Sequence, residues 1–414
     1  LIYISSLCAF QLVYLTHTQD AVRAANHKII RLLLLTLTPL QLSQLAKLAI
    51  FQCPFSDRAA AAVWQCDASH ARQQLRHFYS CELLVATDTP GLFSVAVSAG
   101  EAAEELAAEK LPSWEDSKRA AEAEYVRFML HQLGSWADLY YTPQYVMSVM
   151  GRGKAAGDIG QAITWLQEGR VQLGPDLVPL ALRLAEPAVW ATLNHLVPDM
   201  PYTGLTWVAR KLEELGGGNI LHKAAAVLIR LHVKKATSLE VALLQLFIKA
   251  QYREVLELLD TVAPDNQDAL HKTLIASCLL GMAACDVCVP DWWGAHRHSC
   301  EAQVLLEEVL GVNHPGTIQT ILFKARSREG AGEAGAGELY MQASQLGEQL
   351  LGGAHPETSQ ARKLLAAWLW SQGRRQEALE LGYVQQSTAQ RVLQCLPGVL
   401  LGSVGSLVLH KVVG

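Results

Sequence analysis

One eight-residue phrase occurs twice near the C-terminus. Residues 310–317 read Leu-Gly-Val-Asn-His-Pro-Gly-Thr and residues 351–358 read Leu-Gly-Gly-Ala-His-Pro-Glu-Thr, which places His314 and His355 41 residues apart. A period of about 20–50 residues marks a repeat array, in which each unit buries its apolar face only against its neighbours. Such arrays present surface for binding and seldom perform chemistry. The chain is therefore read first as an interaction protein, with an enzyme the least expected class.

The phrase has a physical logic as a helix linker. Gly311 and Gly352 can end a helix in the left-handed conformation. Pro315 and Pro356 prevent its continuation. Thr317 and Thr358 can then cap the next helix. His314 and His355 are read as structural linker residues rather than ligands.

The rest of the chain suits helices. Half of its 414 residues are hydrophobic and 18% are charged, so a sizeable core is available. Ala and Leu dominate and aromatics are 7%, which favours helices over a β-sandwich. A net charge of −5 gives no general basic field for nucleic acid. The nine cysteines are too sparse for a disulfide scaffold and point to a reducing, cytoplasmic setting.

Both ends are apolar. The chain opens at Leu1 without Met, as expected of a fragment, a processed product or an imperfect gene model. Residues 1–28 are read as a truncated helical remnant, because residues 1–15 are short for a membrane span and no basic region precedes them. Residues 395–414 are interrupted by Pro397, Gly398, Gly402 and Gly405 and are read as a tail rather than an anchor.

Residues 29–112 hold a small module. A leucine-rich helical run over 29–37 is followed by Thr38-Pro39-Leu40-Gln41, a capping box with Pro at the first helical position. Cys53-Pro54-Phe55 breaks that second helix, and Ser56 caps a third through Trp64. A further helix around Ala71 to Phe78 leads to a strand at 83–86, a turn at Thr87 to Gly91 and a second strand at 92–97. From Trp114 the pattern is helical throughout, with a strong break at Gly216-Gly217-Gly218-Asn219. Residues 113–300 are read as a helical repeat region and 301–394 as its clearest units.

Two resemblances follow from these residues. The segment 37–64, with Leu48-Ala49-Ile50-Phe51 and Phe55-Ser56, and the hairpin 83–97 resemble the winged-helix module of NB-ARC-type signalling ATPases. In that family a nucleotide-binding core precedes the module and helical repeats follow it. The Met-His-Asp-like sensor usual after the second strand has no counterpart at Val95-Ala96-Val97. Residues 300–394 resemble the tetratricopeptide repeats of kinesin light chains, with their Leu-Gly-x-x-His-Pro-x-Thr linker, Gln372-Gly373 turn and Glu377-Ala378 helix start. The resemblances imply an all-α fold, a helical repeat superhelix preceded by a small winged-helix module. They also imply a protein or peptide partner in the repeat groove. The first helix of the last unit, Thr358 to Trp370, would supply Gln360, Lys363, Trp368 and Trp370 as contacts.

Other chemistry is thin. Cys285-x-x-Cys288 followed by His296-x-His298-x-Cys300 has the content of a structural zinc site. Its spacing matches no common finger, and the alternative is that the cysteines pack as small hydrophobes in or beside a long loop holding Pro290, Trp292 and Trp293. The nearest imitation of a phosphate-binding loop, Gly151-Arg152-Gly153-Lys154-Ala155, lacks the hydroxyl and is read as an ordinary loop. A DNA-binding role for the helix carrying His70, Arg72, Arg76 and His77 would rest on two arginines, few for neutralising several phosphates. No cofactor, metal, nucleic acid or membrane is assigned. Two alternatives stay open: a stand-alone cargo or scaffold adaptor, and a winged-helix DNA-binding regulator.

Overall fold

A computed structural model describes residues 27–382 apart from 141, 143, 186–188, 190–201, 218, 238–241, 263–268 and 313. The expected tail over 395–414, and all but the last two residues of the expected remnant over 1–28, lie outside the described residues. The described chain is mostly helical, with a single two-stranded hairpin. It forms two compact units, Leu1–Met129 with Gly157–Gln172, and Leu130–Ala156 with Leu173–Gly414.

The first unit begins with α1 (27–34), α2 (Pro39–Leu48), α3 (Asp57–Trp64) and α4 (Ala68–Ser80). Its helix starts are written in the sequence. Thr38 and Gln41 form the reciprocal capping box, Ser56 accepts from Ala59 N–H, and Asp67 accepts from Ser69 and His70 N–H. Strands β1 (Leu84–Ala86) and β2 (Phe93–Val95) pair antiparallel, with Leu84 opposite Val95. Phe55 adds an antiparallel bridge to Phe93. The second strand is shorter than expected because Ala96 already accepts the first bonds of α5 (Val97–Lys110). Helix α2 packs on α5, and α3 on α4. Two long helices, α6 (Trp114–Tyr140) and α7 (Tyr145–Gln167), contribute their first and last parts to this unit.

One buried carboxyl pins the break after α2. Asp158 accepts from Gln52 N–H at 2.7 Å, Cys53 N–H at 3.3 Å and the Tyr125 hydroxyl at 2.9 Å. Phe51 stacks on Phe55 and edges onto Tyr125 around it. Burial pushes the Asp158 carboxyl up to about 6, against the lowering effect of its hydrogen bonds. In the unfolded chain it titrates at the ordinary 3.8. Its neutral form therefore adds stability below the unfolded value, and that contribution is lost as pH rises through about 6. Asp158→Ala orphans two backbone donors and a phenol, and is expected to cost about 2 kcal/mol or more. Asp158→Asn keeps the acceptor, so urea melts should show a small loss and a flatter stability profile between pH 4 and 6 (roughly the interval between the two titrations).

The second unit holds α8 (Val178–Leu182) with a 3₁₀ turn (Arg183–Ala185), α9 (Tyr202–Gly216), α10 (Ile220–Thr237), α11 (Ala242–Asp260), α12 (Ala269–Cys288), α13 (Trp292–Leu310), α14 (Thr317–Ala331), α15 (Ala336–Leu351), α16 (Pro356–Ser371) and α17 (Arg375–Glu380). From α9 to α17 each helix packs on its successor. Within the alternate row α10, α12, α14 and α16, each helix also touches the next. Helix α12 is apolar and long enough to cross a membrane, but most of its residues are buried between neighbouring helices.

Two expectations fail here. Gly151 to Ala155 is not a loop but lies inside α7. A helix there presents no run of inward-facing amides to a phosphate, and the glycines cost only about 1 kcal/mol each of propensity, which packing overrides. The connection holding Pro290 is not long: α12 runs to Cys288 and α13 starts at Trp292. Asp291 closes it as a cap, accepting from Gly294 N–H at 3.0 Å.

Candidate functional site

The two linkers share a backbone course. Gly311 (φ 90°, ψ 157°) and Gly352 (φ 81°, ψ 160°) end their helices, and each donates back one turn, to Glu307 and Glu348 carbonyls. His314 and His355 N–H then donate to the carbonyls of those glycines, both at 3.2 Å. The glycines are required, but by a positive φ with an extended ψ rather than by the left-handed helical conformation.

The capping differs from expectation. Thr317 is the first residue of α14, and its hydroxyl donates to the His314 carbonyl at 2.7 Å. Thr358 lies inside α16, packed on Gly347, and its hydroxyl is buried without a hydrogen-bond partner among the described residues. At α16 His355 does the capping instead, whereas α14 starts after Gly316 with no side-chain cap and His314 bonds just ahead of it. His314 Nδ1 accepts from Gly316 N–H at 3.0 Å, and His355 Nδ1 accepts from Glu357 N–H at 3.1 Å. A proline ring leaves no amide at Pro315 or Pro356, so the free donor is one residue later, within reach of an imidazole two positions back.

At the second linker this geometry fixes a tautomer. Since His355 Nδ1 accepts, the proton sits on Nε2, which donates to the Tyr140 carbonyl at 2.8 Å. The ring is fully buried and meets the Tyr140 ring edge-on at 5.2 Å. Burial holds its pKa below the ordinary value, with the Tyr140 bond opposing. Next to it, the Glu357 carboxylate at the N-terminus of α16 accepts from Gln319 Nε2 and from the Tyr140 hydroxyl, the latter at 3.4 Å. Desolvation raises its pKa and the two donors lower it, with a net rise. Gln319 also donates to Gln360 at 3.3 Å. These glutamines are 41 residues apart, the spacing that also separates His314 from His355.

The expected contact residues separate on α16. Gln360 belongs to this polar cluster, and Lys363 is exposed one turn further on. Trp368 is half-buried with its ring over Gly337 of α15. Trp370 is half-buried with the Arg375 guanidinium 5.3 Å from its ring centre. Neither indole projects freely. Tyr140, Gln319 and Glu357 were not singled out by the sequence reading. Glu357 differs between the two copies of the phrase, where Gly316 stands in the first, and that difference was the available signal.

The cysteine–histidine set does not converge. His298 Nδ1 is 2.8 Å from Asp286 Oδ2, His296 Nε2 is 3.6 Å from Cys300 Sγ, and Cys285 is buried inside α12. Among the described residues no three His, Cys, Asp or Glu side chains group as metal ligands. On α4, Arg72 is paired with Asp57 at 2.7 Å, while Arg76 and His77 are exposed. No protein-family model, curated protein or solved structure matches this chain.

Proposed function

We propose that this chain is the protein-interaction part of a signalling ATPase of the NB-ARC type. Residues 29–112 form its winged-helix module, and the helices after it form a tetratricopeptide-like superhelix that recognises a protein or peptide partner. The observation that carries this reading is the recurrence of one linker geometry at a 41-residue period between successively packed helices. Helices that touch their next-but-one neighbours form the tighter, inner row of a curved stack. The helices with such contacts are α10, α12, α14 and α16, and on this reading they are the inner row. Side chains of the inner row, half-buried Gln360 and exposed Lys363 among them, then line the partner groove.

The test is proximity labelling in cells with the wild-type chain and a Lys363→Glu/Gln360→Ala variant. Lys363 is exposed and Gln360 is half-buried with one bond from Gln319, so the melting temperature should stay within about 5 °C of the wild type. The expected result is at least a tenfold loss of a defined set of labelled proteins. An unchanged set, with the variant folded, would reject the groove as the partner site.

A further inference from the structure

We propose that Cys300, His296 and Ser327 form a nucleophilic thiol site on the seam between α13 and α14, which takes up a small disulfide bearing carboxylates, of the glutathione class, as a mixed disulfide. The inference is independent of the interaction reading above.

The three side chains come from two helices and stand in a line. Cys300 and His296 lie one turn apart on α13, with Cys300 Sγ 3.6 Å from His296 Nε2. Ser327 of α14 stands on the other side of the imidazole, its Oγ 3.4 Å from Nδ1. The hydroxyl has one proton, and that proton goes to the Lys324 carbonyl at 2.8 Å. Toward the imidazole Ser327 can therefore only accept, which places the histidine proton on Nδ1. Nε2 is left with its lone pair aimed at the thiol. A nucleophile beside a base, and the base oriented by a third group, is the arrangement that activates a cysteine. Ser327 is buried, so it positions the ring, while Cys300 and His296 are only half-buried.

The surroundings select the substrate. Lys324 and Arg328 are one turn apart on α14, either side of Ser327 in sequence. Burial holds the His296 pKa below its ordinary value, Arg328 and Lys324 lower it further, and Glu333 opposes them. The imidazole is thus a neutral base at neutral pH. Lys324 is bonded to the neutral Gln303 side chain and so keeps its charge for an incoming carboxylate.

The reaction is an exchange. His296 Nε2 takes the Cys300 proton, and the thiolate attacks one sulfur of the disulfide. The S–S bond breaks with its electron pair on the other sulfur, which takes the proton back from His296. The products are a Cys300 mixed disulfide and one free thiol, and the small disulfide is the only oxidant.

Two other cysteines serve as internal controls. Cys53 and Cys66 are also half-buried, but burial and a neighbouring aspartate push their thiols up. The experiment treats the full chain with oxidised glutathione at neutral pH and follows each cysteine by mass spectrometry after acid quenching. Cys300 is expected to react about tenfold or more faster than Cys53 or Cys66. His296→Gln should slow Cys300 by about tenfold or more and leave the other two rates unchanged. Ser327→Ala should slow it several-fold with the same selectivity. Normalised to free cysteine, Cys300 should prefer oxidised glutathione to the uncharged hydroxyethyl disulfide, and Lys324→Gln with Arg328→Gln should remove that preference. Equal rates at the three cysteines of the wild-type chain, a comparison that needs no variant, would overturn the proposal. So would a Cys300 rate that a folded His296→Gln chain retains. Equal normalised rates with the two disulfides would reject the acidic substrate.

Discussion

Asp286→Ala is expected to lower the unfolding free energy by about 3–5 kcal/mol, the scale for breaking a buried ion pair from one side. Asp286 lies near the end of α12 and is fully buried. One oxygen meets the Lys249 ammonium from α11, and the other meets His298 Nδ1 from α13 at 2.8 Å. Three consecutive helices are thus tied through one carboxylate. Lys249 has a second partner, Asp291, at 3.3 Å. Burial alone would lower the Lys249 pKa, but the two carboxylates raise it above its ordinary value, so the ammonium stays charged. Removing Asp286 leaves a mostly buried ammonium facing one exposed carboxylate. The control is Asp286→Leu with Lys249→Met, which removes both charges and should recover most of the loss. Urea unfolding of both variants checks the prediction. A loss under about 1 kcal/mol for Asp286→Ala would mean that water already reaches the site.

That acid also shows which features the sequence left unread. Local signals were legible because they act over three or four residues. Thr38 with Gln41, Ser56 and the break at Gly216 stand where the sequence placed them. The turn at Thr87 to Gly91 does so as well. The repeated linker was legible because it recurs. Its capping was misassigned, since hydroxyls are the usual caps and nothing in the sequence told that the donor after each proline would meet an imidazole. Pairings across long separations left no local trace. Asp158 meets Gln52 across 106 residues, and His355 meets Tyr140 across 215. The spacing of the cysteine–histidine set did not tell which side chains would meet. Inside α13, His296 and His298 are two residues apart and so face different directions, one toward Ser327 and the other toward Asp286. Asp286 itself was visible as the one charged residue of the stretch from Leu274 to Cys288, where a buried charge calls for a partner.

Gly281→Ala is the second large effect. In an exposed helix that substitution gains about 1 kcal/mol of propensity. Here the sign should reverse. A β-carbon at Gly281 of α12 would fall inside the van der Waals envelope of the Tyr252 ring from α11. Tyr252 is 2% exposed and has no room to withdraw. Overpacking of this kind costs about 1–3 kcal/mol. The same contact recurs between later helices, where Trp292 lies over Gly330 and Trp368 over Gly337. In each pair a glycine lets an aromatic ring approach the facing helix backbone. The expected order of destabilisation is Gly281, then Gly337, then Gly330, because Trp368 and Trp292 are only half-buried and Gly330 is itself exposed. Thermal melts of the three alanine variants give the order directly. Tyr252→Leu combined with Gly281→Ala should be less harmful than the sum of the single changes, since leucine vacates the space the new methyl needs. Equal stabilisation by all three alanines would mean that the rings, and not the glycines, yield at these helix contacts.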